Sequence, residues 1–91
     1  MSKIATLPLD CETAKRKLDS LNLGPVDLPI LVTMLDAIDS VSDARHLELV
    51  MAEAMGLMRG LMHGLVLTPQ QGTEVLMLLE AVATHERVQM N

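Results

Sequence analysis

His85 and Glu86 adjoin in the run His85-Glu86-Arg87-Val88-Gln89, which opens like the helix motif of zinc proteases. There, two histidines four residues apart hold the metal and the glutamate serves as base. Position 89 is glutamine, so the second ligand is missing and this chemistry is not expected. Asp36, Asp39 and Asp43 lie close in sequence, but without the alternating ligands and central glycine of a calcium loop. They read as a solvated face and, at Asp43, a helix cap. His46, between Arg45 and near Glu48, reads as a surface histidine. Cys11 is the only thiol; it falls on the apolar side of its helix, and no histidine can be placed beside it to make it a nucleophile. No glycine-rich run forms a phosphate cradle. The chain is expected to be no enzyme, with no cofactor and no metal centre.

Two stripes share the stretch from Val50 to Leu67. Met51, Met55, Met58 and Met62 recur at helical spacing. Thioethers are soft ligands that suit Cu(I), but His63, the nearest imidazole, points about 100° away from the stripe on a helix turning about 100° per residue. Core packing, against the chain's own bundle or a second copy, accounts for the methionines more simply, because Met fills irregular gaps. A methionine-rich groove that adapts to a partner helix is the other reading. The second stripe is Ala52, Gly56, Gly60 and Gly64, which runs among Arg45, Glu53, Arg59 and His63. Three internal glycines cost about 2 to 3 kcal/mol of helix propensity relative to alanine. Close approach by another helix offsets such a cost; the bland alternative is a helix that is weak or kinked near Gly60. A membrane span is rejected: the apolar run Ala54 to Leu67 would reach about 21 Å against a hydrocarbon core of about 30 Å, and it contains Arg59.

Composition sets the frame for these stripes. Ninety-one residues suffice for one domain with one core. The chain is 49% hydrophobic yet has no Phe, Tyr or Trp, so seventeen Leu and eight Met must build the core with Val, Ile and Ala. Without aromatic shapes a core specifies itself poorly, and burying a face against a second copy adds area, which favours a homodimer. A net charge of −5, with Lys15-Arg16-Lys17 as the only basic cluster, disfavours nucleic acid as a partner, and there are no rings for stacking bases. The amino terminus lacks an apolar stretch of signal-peptide length, and a single cysteine cannot form an intrachain disulfide. The expected setting is the cytoplasm, most simply a bacterial one.

The elements that would carry the stripes follow from periodicity and caps. Residues 1–9 read as a loose arm anchored by Leu7 and Leu9. A first helix is expected over 10–23, capped by Asp10, with Leu7, Cys11, Ala14, Leu18 and Leu21 in apolar spacing and Gly24-Pro25 ending it. A second is expected over 27–41, capped by Asp27 with Pro29 in its first turn. The third, over 43–67, starts at Ser42 or Asp43 and spreads its apolar residues over about half its circumference. Thr68, Pro69 and Gln71 form a capping box with proline at the first helical position, the sharpest local signal in the chain, and open a fourth helix over 69–88. Val75, Leu76, Leu78, Leu79, Val82 and Ala83 are its expected apolar face. The fold class is all-α: a bundle of about four helices in which helices three and four form a long antiparallel hairpin with two short helices laid across it.

The run Leu67-Thr68-Pro69-Gln70-Gln71-Gly72-Thr73-Glu74-Val75-Leu76-Met77-Leu78-Leu79 resembles the opening of the DNA-binding domains of LuxR-type and MarR-type regulators. The resemblance covers thirteen residues, and it implies a DNA-linked transcriptional regulator. In those families a basic recognition helix follows, whereas Arg87 is the only later positive charge here; capping chemistry alone accounts for the likeness.

The sequence therefore reads as a non-enzymatic protein–protein interaction module, a small regulator or adaptor acting as a homodimer on another protein. Met51, Met55, Leu57, Met58, Leu61, Met62 and Leu65 are the expected interface, and Ala52, Gly56, Gly60 and Gly64 the candidate close helix contact. The alternatives are a small-molecule or Cu(I) binder with a Met-lined interior, and the DNA-linked regulator.

Overall fold

The computed structural model describes residues 7–64 and 66–90. The arm over 1–6 and the interface candidate Leu65 lie outside the described residues. The described residues form four helices: α1 (Cys11–Asp19), α2 (Asp27–Asp39), α3 (Ala44–His63) and α4 (Pro69–Met90).

α4 is the hub, packing on α1, α2 and α3. α2 also touches the other three, whereas α1 and α3 do not meet. The sequence of α4 explains its place. Buried Gly72, Val75, Leu78, Leu79, Ala81, Val82, Ala83 and Glu86 spread over about 200° of its circumference at about 100° per residue, enough to meet three neighbours. The expected face missed Gly72, Ala81 and Glu86 because small residues and a carboxylate carry no apolar signal. Gly72 marks the tightest approach: a Cβ there would stand 2.8 Å from the Met62 sulfur of α3. The core joins Ala14 and Leu18 of α1, Leu31, Leu35 and Ile38 of α2, Leu47, Ala54 and Met58 of α3, and Val75, Leu79 and Val82 of α4. Aliphatic and thioether groups fill it, with the Cys11 thiol at its edge and no aromatic ring.

The ends of the helices depart from expectation where backbone hydrogen bonding decides. Asp10 stands at the N-cap of α1 but makes no side-chain cap bond. α1 stops at Asp19, four residues before its expected end: the Ser20 hydroxyl donates to the Lys17 carbonyl at 2.6 Å, and Asn22 adopts φ 57°. Asparagine is the residue most tolerant of that left-handed region after glycine, so Asn22, not Gly24, makes the turn, while Leu21 and Leu23 still pack on the core. Asp27 is the first helical residue of α2, not its cap; Val26 precedes it without a side-chain cap bond. Its charge still favours the helix start. α2 ends at Asp39, where the Ser40 hydroxyl donates to the Asp36 carbonyl. Asp43 does cap α3, accepting from the His46 amide at 2.7 Å. α3 closes at His63, short of 67, with the Val66 amide turned back to the Leu61 carbonyl at 2.9 Å. In the amino-terminal segment the Leu9 amide donates to the Ala81 carbonyl at 3.2 Å and Leu9 packs on the core, whereas Leu7 is 78% exposed and anchors nothing.

The capping box at the start of α4 is complete. The Gln71 amide donates to the Thr68 hydroxyl at 3.0 Å and the Thr68 amide to the Gln71 side-chain oxygen at 3.1 Å. Gln71 also reaches the Leu21 carbonyl at 3.4 Å, tying the α1–α2 connection to the hub. Thr68→Ala removes one cap acceptor and is expected to lower stability by about 1 kcal/mol, read as a shift of the urea midpoint at unchanged slope.

Candidate functional site

Three places in the fold could do something, and the first is the outer side of α3. Because α3 packs on α2 and α4 only, the side opposite them is open. Leu49 is 61% exposed there, and Ala52, Gly56 and Gly60 lie exposed beyond it. Added Cβ atoms at Gly56 and Gly60 would meet nothing within 4 Å, so within one chain no helix approaches the small stripe. Gly64 caps the helix end. The helix runs unbroken through Gly56 and Gly60 to His63. Exposed Arg45, Glu48, Glu53, Arg59 and His63 flank the strip.

The methionine side of α3 is largely occupied by its own chain. Met51 and Met58 are buried, and Met55 and Leu61 pack half-buried against the core. Leu57 and Met62 are half-buried, with the Met62 side chain lying over Gly72. Two of the interface candidates are thus interior groups, and the free surface of α3 is the glycine side.

The second place is a polar cluster where α1, α2 and α4 meet. Lys15 lies 2.6 Å from the Asp36 carboxylate and 3.7 Å from Glu12. The Cys11 thiol donates to the same Asp36 oxygen at 3.7 Å. Burial raises the thiol to about 11, overcoming the pull of Lys15, with Asp39 and Asp36 adding to the rise. A raised pKa of this kind leaves little thiolate, the nucleophilic form, at neutral pH.

Glu86, which with His85 opens the incomplete zinc-protease motif, is buried on the inner side of α4. Burial pushes its carboxyl above the ordinary range, the neighbouring Asp39 adds to the rise, and His85 opposes it. His85 Nδ1 stands 3.5 Å from a Glu86 oxygen and is itself buried without a hydrogen-bond partner. Gln89, which replaces the second histidine of the zinc motif, sits 3.5 Å from His85 Nε2. Among the described residues no group of three His, Cys, Asp or Glu side chains could hold a metal ion.

A raised folded-state pKa at Glu86 has a definite sign. Its stabilising contribution is complete below the ordinary glutamate value of about 4.3 and is lost as pH rises through the raised value. Glu86→Gln keeps the shape without the charge and can donate to Asp39. It is expected to be more stable than the wild type at neutral pH and to flatten the pH dependence above that ordinary value, measured by thermal unfolding across a pH series.

The third place is a shallow depression of about 280 Å³ at the start of α4, lined by Ser20, Leu21, Thr68, Gln70, Gln71 and Glu74. Two of its polar side chains, Thr68 and Gln71, are used by the capping box and the Leu21 tether, and the Ser20 hydroxyl donates to the Lys17 carbonyl. Among the described residues no helix is long and apolar enough to cross a membrane. No family model matches the chain, and neither a curated protein nor a solved structure matches it.

Proposed function

We propose that this protein is a non-enzymatic interaction module, a small regulator or adaptor that works as a homodimer through α3. The observation that carries the reading is the outer face of that helix, where exposed Leu49 adjoins a strip of backbone laid bare at Gly56 and Gly60. Glycine at those two positions costs about 2 kcal/mol relative to alanine, and among the described residues nothing stands within 4 Å of the Cβ that alanine would add. A partner backbone approaching closely is the physical circumstance in which glycine recovers that cost. The acidic surface and the protonated Cys11 thiol agree with contact in place of chemistry. In this reading α3, packed on α4, turns the strip outward, and the remaining surface of each copy is free for the protein on which the dimer acts.

Multi-angle light scattering on the wild type and Leu49→Asp tests this. The substitution lies on an exposed position, so circular dichroism should show an unchanged helical fold. The reading expects twice the chain mass for the wild type and one chain mass for Leu49→Asp. Equal masses for the two proteins count against it.

A further inference from the structure

We propose that Gln89, His85, Glu86 and Asp39 form a hydrogen-bonded relay that latches the end of α2 to α4, and that loss of the single proton between the two carboxyl groups loosens this junction. The latch is independent of the dimer and gives the fold a response to pH.

The direction of the relay follows from its donors and acceptors. The Gln89 side-chain nitrogen stands 3.5 Å from His85 Nε2. An amide nitrogen only donates, so Nε2 is the accepting nitrogen and the neutral ring carries its proton on Nδ1. That Nδ1 is buried without a hydrogen-bond partner and stands 3.5 Å from a Glu86 oxygen. A few tenths of an ångström of closure make this an ordinary hydrogen bond to the carboxyl group. The glutamine that breaks the zinc motif therefore sets the tautomer of His85. Glu86 is buried, and its carboxyl group hydrogen-bonds Asp39, the last residue of α2. Two carboxyl groups in contact do not both ionise readily, so the proton stays on buried Glu86 while exposed Asp39 accepts it.

The neighbouring charges do not replace that proton. On α1, Lys15 is held by Asp36 at 2.6 Å and by Glu12 at 3.7 Å, and burial keeps the Cys11 thiol protonated. Asp10, before α1, lies close enough to feel His85 and adds a carboxylate. α2 brings Asp36 and Asp39, and its carboxyl end carries the negative pole of the helix. The six ionisable side chains of α3, from Arg45 to His63, are exposed, as is Arg87 of α4. Ionised Glu86 therefore meets Asp39 as a like charge, and an attractive contact becomes a repulsive one. Burial and Asp39 raise the Glu86 carboxyl above the ordinary glutamate range against the opposing effect of His85. The latch is thus closed in acid and loosens as pH rises through the raised value. Two backbone bonds report on this end of the molecule: the Leu9 amide to the Ala81 carbonyl at 3.2 Å, one turn before His85, and the Val41 amide to the Ile38 carbonyl at 3.4 Å.

Imidazole NMR and amide hydrogen exchange on the full chain test the relay and the latch. At about pH 8, where an ordinary imidazole is neutral, His85 is expected to be the Nδ1–H tautomer and exposed His46 and His63 to be mixtures. Gln89→Leu, at an exposed position, is expected to move His85 toward such a mixture with an unchanged helical spectrum. Between about pH 5 and pH 8 the protection factors of Leu9 and Val41 are expected to fall about threefold or more, while that of Gly72, at the far end of α4, holds. Asp39→Asn and Glu86→Gln each keep the hydrogen bond without the second charge and are expected to abolish the fall. A wild-type His85 with the tautomer balance of His46 and His63 overturns the relay. Protection at Leu9 and Val41 that is constant with pH, falls in parallel with Gly72, or falls as in the wild type in both variants overturns the latch.

Discussion

Met58→Ala is expected to lower the unfolding free energy by about 2 to 5 kcal/mol, a large part of the about 5 to 15 kcal/mol that holds a typical domain folded. Met58 is 1% exposed at the centre of the core, among aliphatic groups of α2 and α4 and with no aromatic ring available to close over a cavity. Met58→Leu keeps the volume and is expected to cost less than about 1.5 kcal/mol. The contrast along the stripe is the informative part. Met55→Ala, half-buried one turn earlier, should cost clearly less than Met58→Ala, because its site opens to solvent and leaves no sealed void. Urea titration of the three variants reads these differences as midpoint shifts. Equal, small effects at positions 55 and 58 would contradict the assignment of Met58 to the core and return the stripe to the surface.

The second large effect concerns the glycines. Gly56→Ala/Gly60→Ala is expected to stabilise the isolated chain by about 2 kcal/mol, since each alanine regains about 1 kcal/mol of helix propensity and its methyl meets nothing within 4 Å. For a domain of this size that corresponds to a rise in Tm of roughly 10 °C. The same methyl groups would hold a partner backbone away in the proposed dimer, so dimerisation should weaken while the fold strengthens. Thermal scans at low and high protein concentration separate the two effects, because association raises apparent stability by mass action. The double variant should show a higher Tm than the wild type in dilute solution and a smaller rise of Tm with concentration. A lower Tm in dilute solution would show that the glycines are required inside the chain itself.

The features legible in the sequence were those with a local cause. Thr68, Pro69 and Gln71 specify the start of α4 by hydrogen bonds within four residues, and the structure makes both of them. Asp43 declares itself a cap for the same reason. The all-helical class follows from apolar spacing and the lack of strand alternation. What periodicity does not carry is which side of a helix another element occupies. Met51 and Met55 are one turn apart and chemically alike, yet only Met51 is fully buried, because α4 and α2 meet α3 along a narrower strip than its apolar residues span. Gly72 and the glycines of α3 look equivalent in sequence. Only Gly72 receives a neighbour, the Met62 side chain, while Gly56 and Gly60 face open space. The burial of Glu86 is not legible in the sequence, because a carboxylate beside His85 and Arg87 gives no sign that it faces the core. Asn22 was overlooked beside the stronger turn signal of Gly24-Pro25, although its φ of 57° is the one that ends the α1 connection.

These placements put the proposed contact surface on the glycine side of α3. Met51 and Met58 belong to the core of the single chain, Met55 and Met62 are half-buried, and Ala52, Gly56 and Gly60 lie exposed. Sedimentation equilibrium of the wild type over a wide concentration range, beside Gly56→Leu, tests that account most directly. The account predicts a folded wild type that passes from one chain mass to two as concentration rises, and a Gly56→Leu protein with the same helical spectrum that stays at one chain mass. A wild type that remains a folded monomer throughout the range, or a Gly56→Leu protein that dimerises as the wild type does, would contradict it.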